Sequence, residues 1–238
     1  MPATYIQTFT GDTVDFVQVL RGERTQPFDL RDIAHGLAGI NRWASQGQRW
    51  SVLQHTLLGA RLLAELDADG RAIGGHQLPQ IVRAPAGRTP CEECMMALDW
   101  LLHDAHEAFV GDLTTPLKAL IRSFTHVYDD LVLAFDQVIY RDHFLDPITY
   151  RSERQRPCVV GSRALLSVLP LRHYVDSVLC REIERAWVFE GRQCDRPWGT
   201  PELGLQLIRD LGLRPSDFPN DEACLIRAIE ACAGQRAA

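Results

Sequence analysis

Apolar residues recur at helical spacing along most of the chain, and the stripes they form predict six or more helices. Leu30, Ile33, Ala34 and Leu37 fall on one face behind Asp29, a fair N-cap. Ser51 heads a stronger helix in which Val52, Leu53, Leu57, Leu58, Leu62, Leu63 and Leu66 form a broad apolar face. A third helix is expected over 92–110, where Met96, Leu98, Trp100, Leu101 and Leu102 lead into His103-Asp104-Ala105-His106-Glu107. A fourth, over 116–142, has Pro at its favoured first position and should bury Leu117, Leu120, Ile121, Phe124, Tyr128, Leu131, Phe135 and Ile139. A fifth stretch, 162–190, is expected to be kinked or broken at Pro170 and to bury Val175, Val178, Leu179, Ile183, Ala186 and Trp187. Two short helices, 202–211 and 221–233, read as packing elements.

Only residues 4–20 alternate, weakly, around Thr10-Gly11-Asp12, which predicts a short N-terminal hairpin or extended arm. Gly, Pro, Asp and Arg dominate a loop insertion placed at 67–95, and 145–161 reads as a solvated, Arg-rich loop. The fold class that follows is all-α: a single domain over 1–238, with a C-terminal helical extension over 191–238.

Composition narrows the function classes. Hydrophobic residues make up 46% and charged residues 24% of 238 positions, ordinary values for a folded soluble domain. The net charge of -6 argues against a duplex nucleic-acid binder. No apolar run reaches the roughly 18 residues of a membrane span. Met1-Pro2-Ala3-Thr4 lacks the basic and apolar regions of a secretory signal, so the expected location is cytoplasmic, with no membrane partner. The seven cysteines are odd in number and scattered, several of them (Cys180, Cys224, Cys232) in apolar helical patterns, and most read as reduced core residues. Cys91-Glu92-Glu93-Cys94 has half the spacing of a zinc knuckle, but no second Cys/His pair lies nearby.

Three helices each place an unusual polar group on or beside an apolar face: His55, the His103-Asp104 pair, and Asp176. Taken alone, the His-Asp pair reads either as a buried hydrogen bond at a helix end or as two metal ligands, since neutral imidazole and carboxylate both bind zinc, manganese or cobalt. Four such ligands would leave positions on a six-coordinate ion for water and a phosphate oxygen. On a continuous helix Glu107 would share a face with His103 and Asp104. The loop holding Arg42, Trp43, Arg49 and Trp50 either packs its tip on the core or forms a nucleotide pocket. His35 reads as a core or supporting residue, and His106 as a surface residue turned past Asp104 and Glu107.

The runs Ile40-Asn41-Arg42-Trp43, Ser51-Val52-x-x-His55 and His103-Asp104-Ala105-x-Glu107-x-x-x-Gly111-Asp112-Leu113-x-Thr115-Pro116-Leu117-Lys118 resemble the HD-domain phosphohydrolases, above all the bacterial 5′-deoxynucleotidase branch. Ile6-Gln7-Thr8-Phe9-Thr10-Gly11 and Asp32-Ile33-Ala34-His35 resemble bacterial and phage HD proteins that include a dATP triphosphohydrolase. The likeness covers about 5–190, interrupted by the insertion. It implies a helical HD bundle around one divalent metal (Co, Mn, Zn or Mg) held by His55, His103, Asp104 and Asp176. Glu107 would position or deprotonate the attacking water beside Asp104. Arg42 would contact phosphate, Trp43 the sugar face and Asp112 the 3′-hydroxyl, with Lys118 helping to offset phosphoryl charge. The implied activity is release of phosphate from deoxynucleoside monophosphates, the rivals being release of triphosphate from dNTPs and a non-catalytic nucleotide sensor. The implied partner is a small nucleotide, and the implied assembly a homodimer or larger homo-oligomer. Two positions depart from the pattern: Val175 stands where relatives often carry Ala, and His106 where they have small residues.

Overall fold

The weak N-terminal alternation closes into a hairpin in which β1 (Tyr5–Gln7) pairs antiparallel with β2 (Thr13–Asp15), Ile6 opposite Val14. The computed structural model describes residues 4–144, 147–151, 157–190 and 201–234. Asp15 caps the short α1 (Phe16–Leu20), and Asp29 caps α2 (Leu30–Gly39) by accepting from the Arg31 amide. Asp32 of α2 accepts from the Thr10 amide and hydroxyl at 2.8 and 2.9 Å, which ties the hairpin to the bundle. Ser51 and Gln54 form a capping box at the start of α3 (Val52–Ala64), the helix whose apolar face was the strongest in the sequence.

The insertion is shorter than expected and partly ordered. Gly74 and Gly75, both at positive φ, turn β3 (Ala72–Ile73) into β4 (His76–Gln77). Thr89 and Glu92 then form a second capping box that starts α4 (Pro90–Leu102), so the loop ends at 89 and not at 95. The helix expected to run to 110 stops at Leu102. Residues His103 to His106 form a turn before α5 (Glu107–Val110). The expected helix 116–142 is likewise two, α6 (Thr115–Arg122) and α7 (Val127–His143). Leu117, Leu120 and Phe124 are therefore exposed, Phe124 at 82%, while Phe135 and Ile139 of α7 are core.

Residues 145–161 are not simply a solvated loop: β5 (Ile148–Arg151) pairs with β6 (Pro157–Val160), and Val159 and Val160 are buried. The charges that masked this hairpin fall mainly at 152–156, outside the described residues. Pro170 does not kink a helix but opens one, α8 (Leu169–Tyr174), after a 3-10 turn over Arg163–Val168. A π-helical turn, Val175–Cys180, joins α8 to α9 (Arg181–Val188). The expected packing helices are α10 (Pro201–Asp210), against α9, and α11 (Glu222–Gly234), against α2 and α4. Among the described residues no helix is long and apolar enough to cross a membrane. Among the described residues Cys91, Cys180, Cys224 and Cys232 are free, and of these only Cys180 is fully buried.

The contact that fixes the site is between α3 and α4. A Cβ on Gly59 would lie 1.8 Å from Trp100 Cζ2, so glycine alone lets the indole lie against α3. There its Nε1 donates to the Thr56 carbonyl at 2.8 Å and its ring stacks on His103 at 4.3 Å. Gly59→Ala is expected to destabilise the protein by at least about 2 kcal/mol, because the overpacked indole must shift and carry His103 with it. Urea unfolding measures the loss, and a change below about 0.5 kcal/mol would contradict this packing account.

Candidate metal centre

His55, fully buried near the start of α3, donates Nδ1–H to Glu184 Oε1 at 2.6 Å. A carboxylate can only accept, so Nδ1 carries the proton of that bond and Nε2 turns toward the centre of the bundle. His103, at the C-cap of α4, does the same with the Trp100 carbonyl at 2.6 Å. Both Nε2 atoms are sealed from solvent and have no hydrogen-bond partner. Two such orphans would be costly in a finished core, whereas imidazoles with Nδ1 committed and Nε2 free are arranged as metal ligands are.

Two carboxylates face them. Asp104 Oδ2 lies 3.2 Å from His103 Nε2 and 3.7 Å from His55 Nε2. Asp176 Oδ1, in the π-helical turn, lies 3.4 Å from His55 Nε2, with the side chain 38% exposed. The ligating atoms of His55, His103 and Asp176 all lie within 4.8 Å of one another, close enough to hold a metal ion, and Asp104 is within reach of both imidazoles. The structure thus brings together all four residues named as ligands. Burial would raise both carboxyls, but the neighbouring imidazoles outweigh it: His103, His55 and Arg42 hold Asp104 well below the usual carboxylate range, and His55 lowers Asp176. Burial and Arg42 push His55 down, yet Glu184 and Asp176 prevail and lift it to about 9. The donor set is two imidazole nitrogens and two carboxylates, which suits a borderline divalent ion.

Glu107 starts α5 and is 2% exposed. The turn before it, not a continuous helix, brings it beside Asp104. Its Oε1 accepts from Lys118 Nζ at 3.1 Å, and its Oε2 is buried without a partner. Burial, with the negative charge of Asp104, pushes its carboxyl up to about 7. Lys118 also lies 3.6 Å from Asp112, and these carboxylates raise its ammonium above its ordinary range despite burial.

Arg42 and Trp43 sit in a strained loop, in which Trp43, Ala44 and Ser45, three successive non-glycine residues in the left-handed region, have φ of 60, 51 and 58°. Arg42 Nε and Trp43 Nε1 both donate to Glu184 Oε2 at 3.2 Å, and Arg42 also lies 3.7 Å from Asp104. Glu184 was not singled out in the sequence. The signal available was its spacing of eight from Asp176, which a regular helix would place off the same face.

His106 is not a surface residue. It is 7% exposed, and its Nδ1 lies 2.9 Å from Asp136 of α7, because the turn at 103–106 directs the ring inward instead of past the helix. Burial lowers this imidazole, but Asp136 overcomes it and lifts the group to about 9. A raised histidine stabilises the fold fully below its unfolded value near 6.5 and loses that contribution as pH rises through 9. In metal-free protein, the stability advantage of wild type over His106→Gln is expected to shrink by about 3 kcal/mol between pH 6 and 9.5. Denaturant titrations at the two pH values test it, and an advantage that does not change would contradict the pairing. His35, expected in or near the core, is instead half exposed, bonded to Glu222 of α11 at 2.9 Å and stacked on Phe9.

Beside the cluster lies a cavity of about 180 Å³, lined by His103 and Asp176 together with His106, Asp136, Arg172 and His173. Arg172 is anchored to Asp99 at 2.8 Å. Arg42, Trp43, Asp112 and Lys118 are near the cluster but do not line this cavity.

No family model matches the chain. The chain is similar to an uncharacterized protein of Rhodobacter capsulatus, 34% identical over 110 residues. That match covers 44% of this chain and 45% of the relative, so the chain spans less than half of the relative's length.

Proposed function

We propose that this protein is a metal-dependent phosphohydrolase of the HD-domain type that acts on deoxynucleotides, releasing phosphate from deoxynucleoside 5′-monophosphates. One observation carries the reading: two sealed, unpartnered imidazole nitrogens face two carboxylates, with the buried carboxyl of Glu107 alongside. His55, His103, Asp104 and Asp176 would hold the ion. A divalent ion held there supplies a Lewis acid that polarises a phosphoryl oxygen and lowers the pKa of water, in favourable cases from 15.7 to about 7.

The chain's own groups supply the rest. Glu107, poised near neutrality, accepts the proton of the attacking water at its free Oε2, while Lys118 fixes its other oxygen. Arg42 sets its guanidinium against the growing charge on the phosphoryl oxygens. Trp43 and Asp112 are assigned to the sugar.

A second reading, release of triphosphate from a dNTP, is favoured by Arg172, His106 and His173 in the cavity wall, since these groups suit further phosphates. Chromatography of the products from a panel of dNMPs and dNTPs with cobalt, manganese or magnesium separates the two. Phosphate and nucleoside from dNMPs are expected. Triphosphate from dNTPs alone would select the second reading, and nucleotide-induced stabilisation without turnover would select a sensor.

A further inference from the structure

We infer that Glu184 is the positioning residue of this centre: it presents His55 for metal binding and, with the same carboxylate, anchors the Arg42-Trp43 loop beside it. The inference rests on the metal-binding reading above.

Glu184 is among the most buried charged groups of the protein, with 0% exposure. A carboxylate so placed is costly unless its oxygens are satisfied. Both are: Oε1 accepts from His55 Nδ1, and Oε2 accepts from Arg42 Nε and Trp43 Nε1. Hydrogen bonds of this kind fix which imidazole nitrogen carries the proton and where the other one points.

The backbone is shaped to deliver it. Eight regular α-helical steps from Asp176 to Glu184 would turn about 800°, leaving the two carboxylates about 80° apart. The π-helical turn Val175–Cys180 absorbs one additional residue. The eight steps then act as about seven, or about 700°, and the two side chains fall within about 20° of one face. They meet the same ring from its two sides, Asp176 3.4 Å from Nε2 and Glu184 2.6 Å from Nδ1. The π turn is thus the device that allows one helix to supply both a ligand and the residue that orients another ligand.

Glu184→Gln keeps the shape but leaves one acceptor oxygen for three donors, and Glu184→Leu removes them all. Calorimetric titration of the full chain with Mn²⁺ is expected to give one site in wild type and a dissociation constant raised 10- to 100-fold in Glu184→Gln. A long-range ¹H–¹⁵N spectrum of metal-free protein, recorded near pH 10 so that the His55 ring is neutral, should place its remaining proton on Nδ1 in wild type and show that preference lost in Glu184→Leu. If the leucine variant does not fold, the glutamine titration decides alone. Equal Mn²⁺ affinity in wild type and folded Glu184→Gln would overturn the role given to Glu184 and leave the metal centre standing. No Mn²⁺ binding by wild type would instead contradict the metal-binding reading itself.

Discussion

Glu107→Gln is expected to lower turnover by about 10²- to 10⁴-fold while leaving metal affinity within about threefold of wild type. Glutamine matches the shape of the side chain and can still accept from Lys118, so the local fold is kept. What it loses is the capacity to take a proton, the property that burial and the neighbouring Asp104 have brought to about 7. Turnover measured at saturating metal, together with metal titration of the same sample, separates the two quantities. Turnover within tenfold of wild type would remove Glu107 from the chemistry.

Asp104→Ala is the second large effect, and it should abolish both functions. Deleting this side chain leaves His55 and His103 without the carboxylate 3.7 and 3.2 Å from their free nitrogens, and Arg42 without one of its acidic neighbours. Losing a direct ligand should cost more than the 10- to 100-fold typical of supporting residues, so metal affinity is expected to fall by more than about 100-fold, with turnover falling alongside. In wild type the affinity should also rise with pH toward 9, because metal must displace a proton from His55, whose value burial lowers and Glu184 and Asp176 lift to about 9. Full turnover in a metal-free Asp104→Ala protein would contradict the proposed chemistry.

Glu107 and Asp104 are legible in the sequence, whereas other parts of the fold and of the site are not. Long apolar stripes gave α2 and α3 almost to their ends, since a wide buried face fixes helical period independently of what it packs on. Breaks inside helical patterns were hidden. The turn at 103–106 and the gap between α6 and α7 carry residues that a continuous helix would also accept, and only tertiary contacts select the break. The hairpin of β5 and β6 was obscured by neighbouring arginines.

The site divides in the same way. His55, His103, Asp104, Glu107 and Asp176 stand out because a polar group beside an apolar stripe is conspicuous in a sequence. Glu184 and the His106-Asp136 pair do not, because their meaning lies in a partner 129 residues away in one case and 30 in the other. The π turn compounds the problem for Glu184 by shifting the helical register on which any reading of spacing depends. Of the residues assigned to substrate, Arg42 and Lys118 are legible in the sequence, as are Asp104, Glu107 and Asp112 beside them, whereas Glu184, which also holds Arg42, is not.

The central claim is that one divalent ion occupies the space between the two imidazoles and the two aspartates. Anomalous diffraction from a crystal soaked in Mn²⁺ or Co²⁺ tests it most directly. The expected result is one strong peak within about 2.0–2.2 Å of His55 Nε2, His103 Nε2 and an oxygen each of Asp104 and Asp176. No peak there, or a peak bound by other residues, would contradict it.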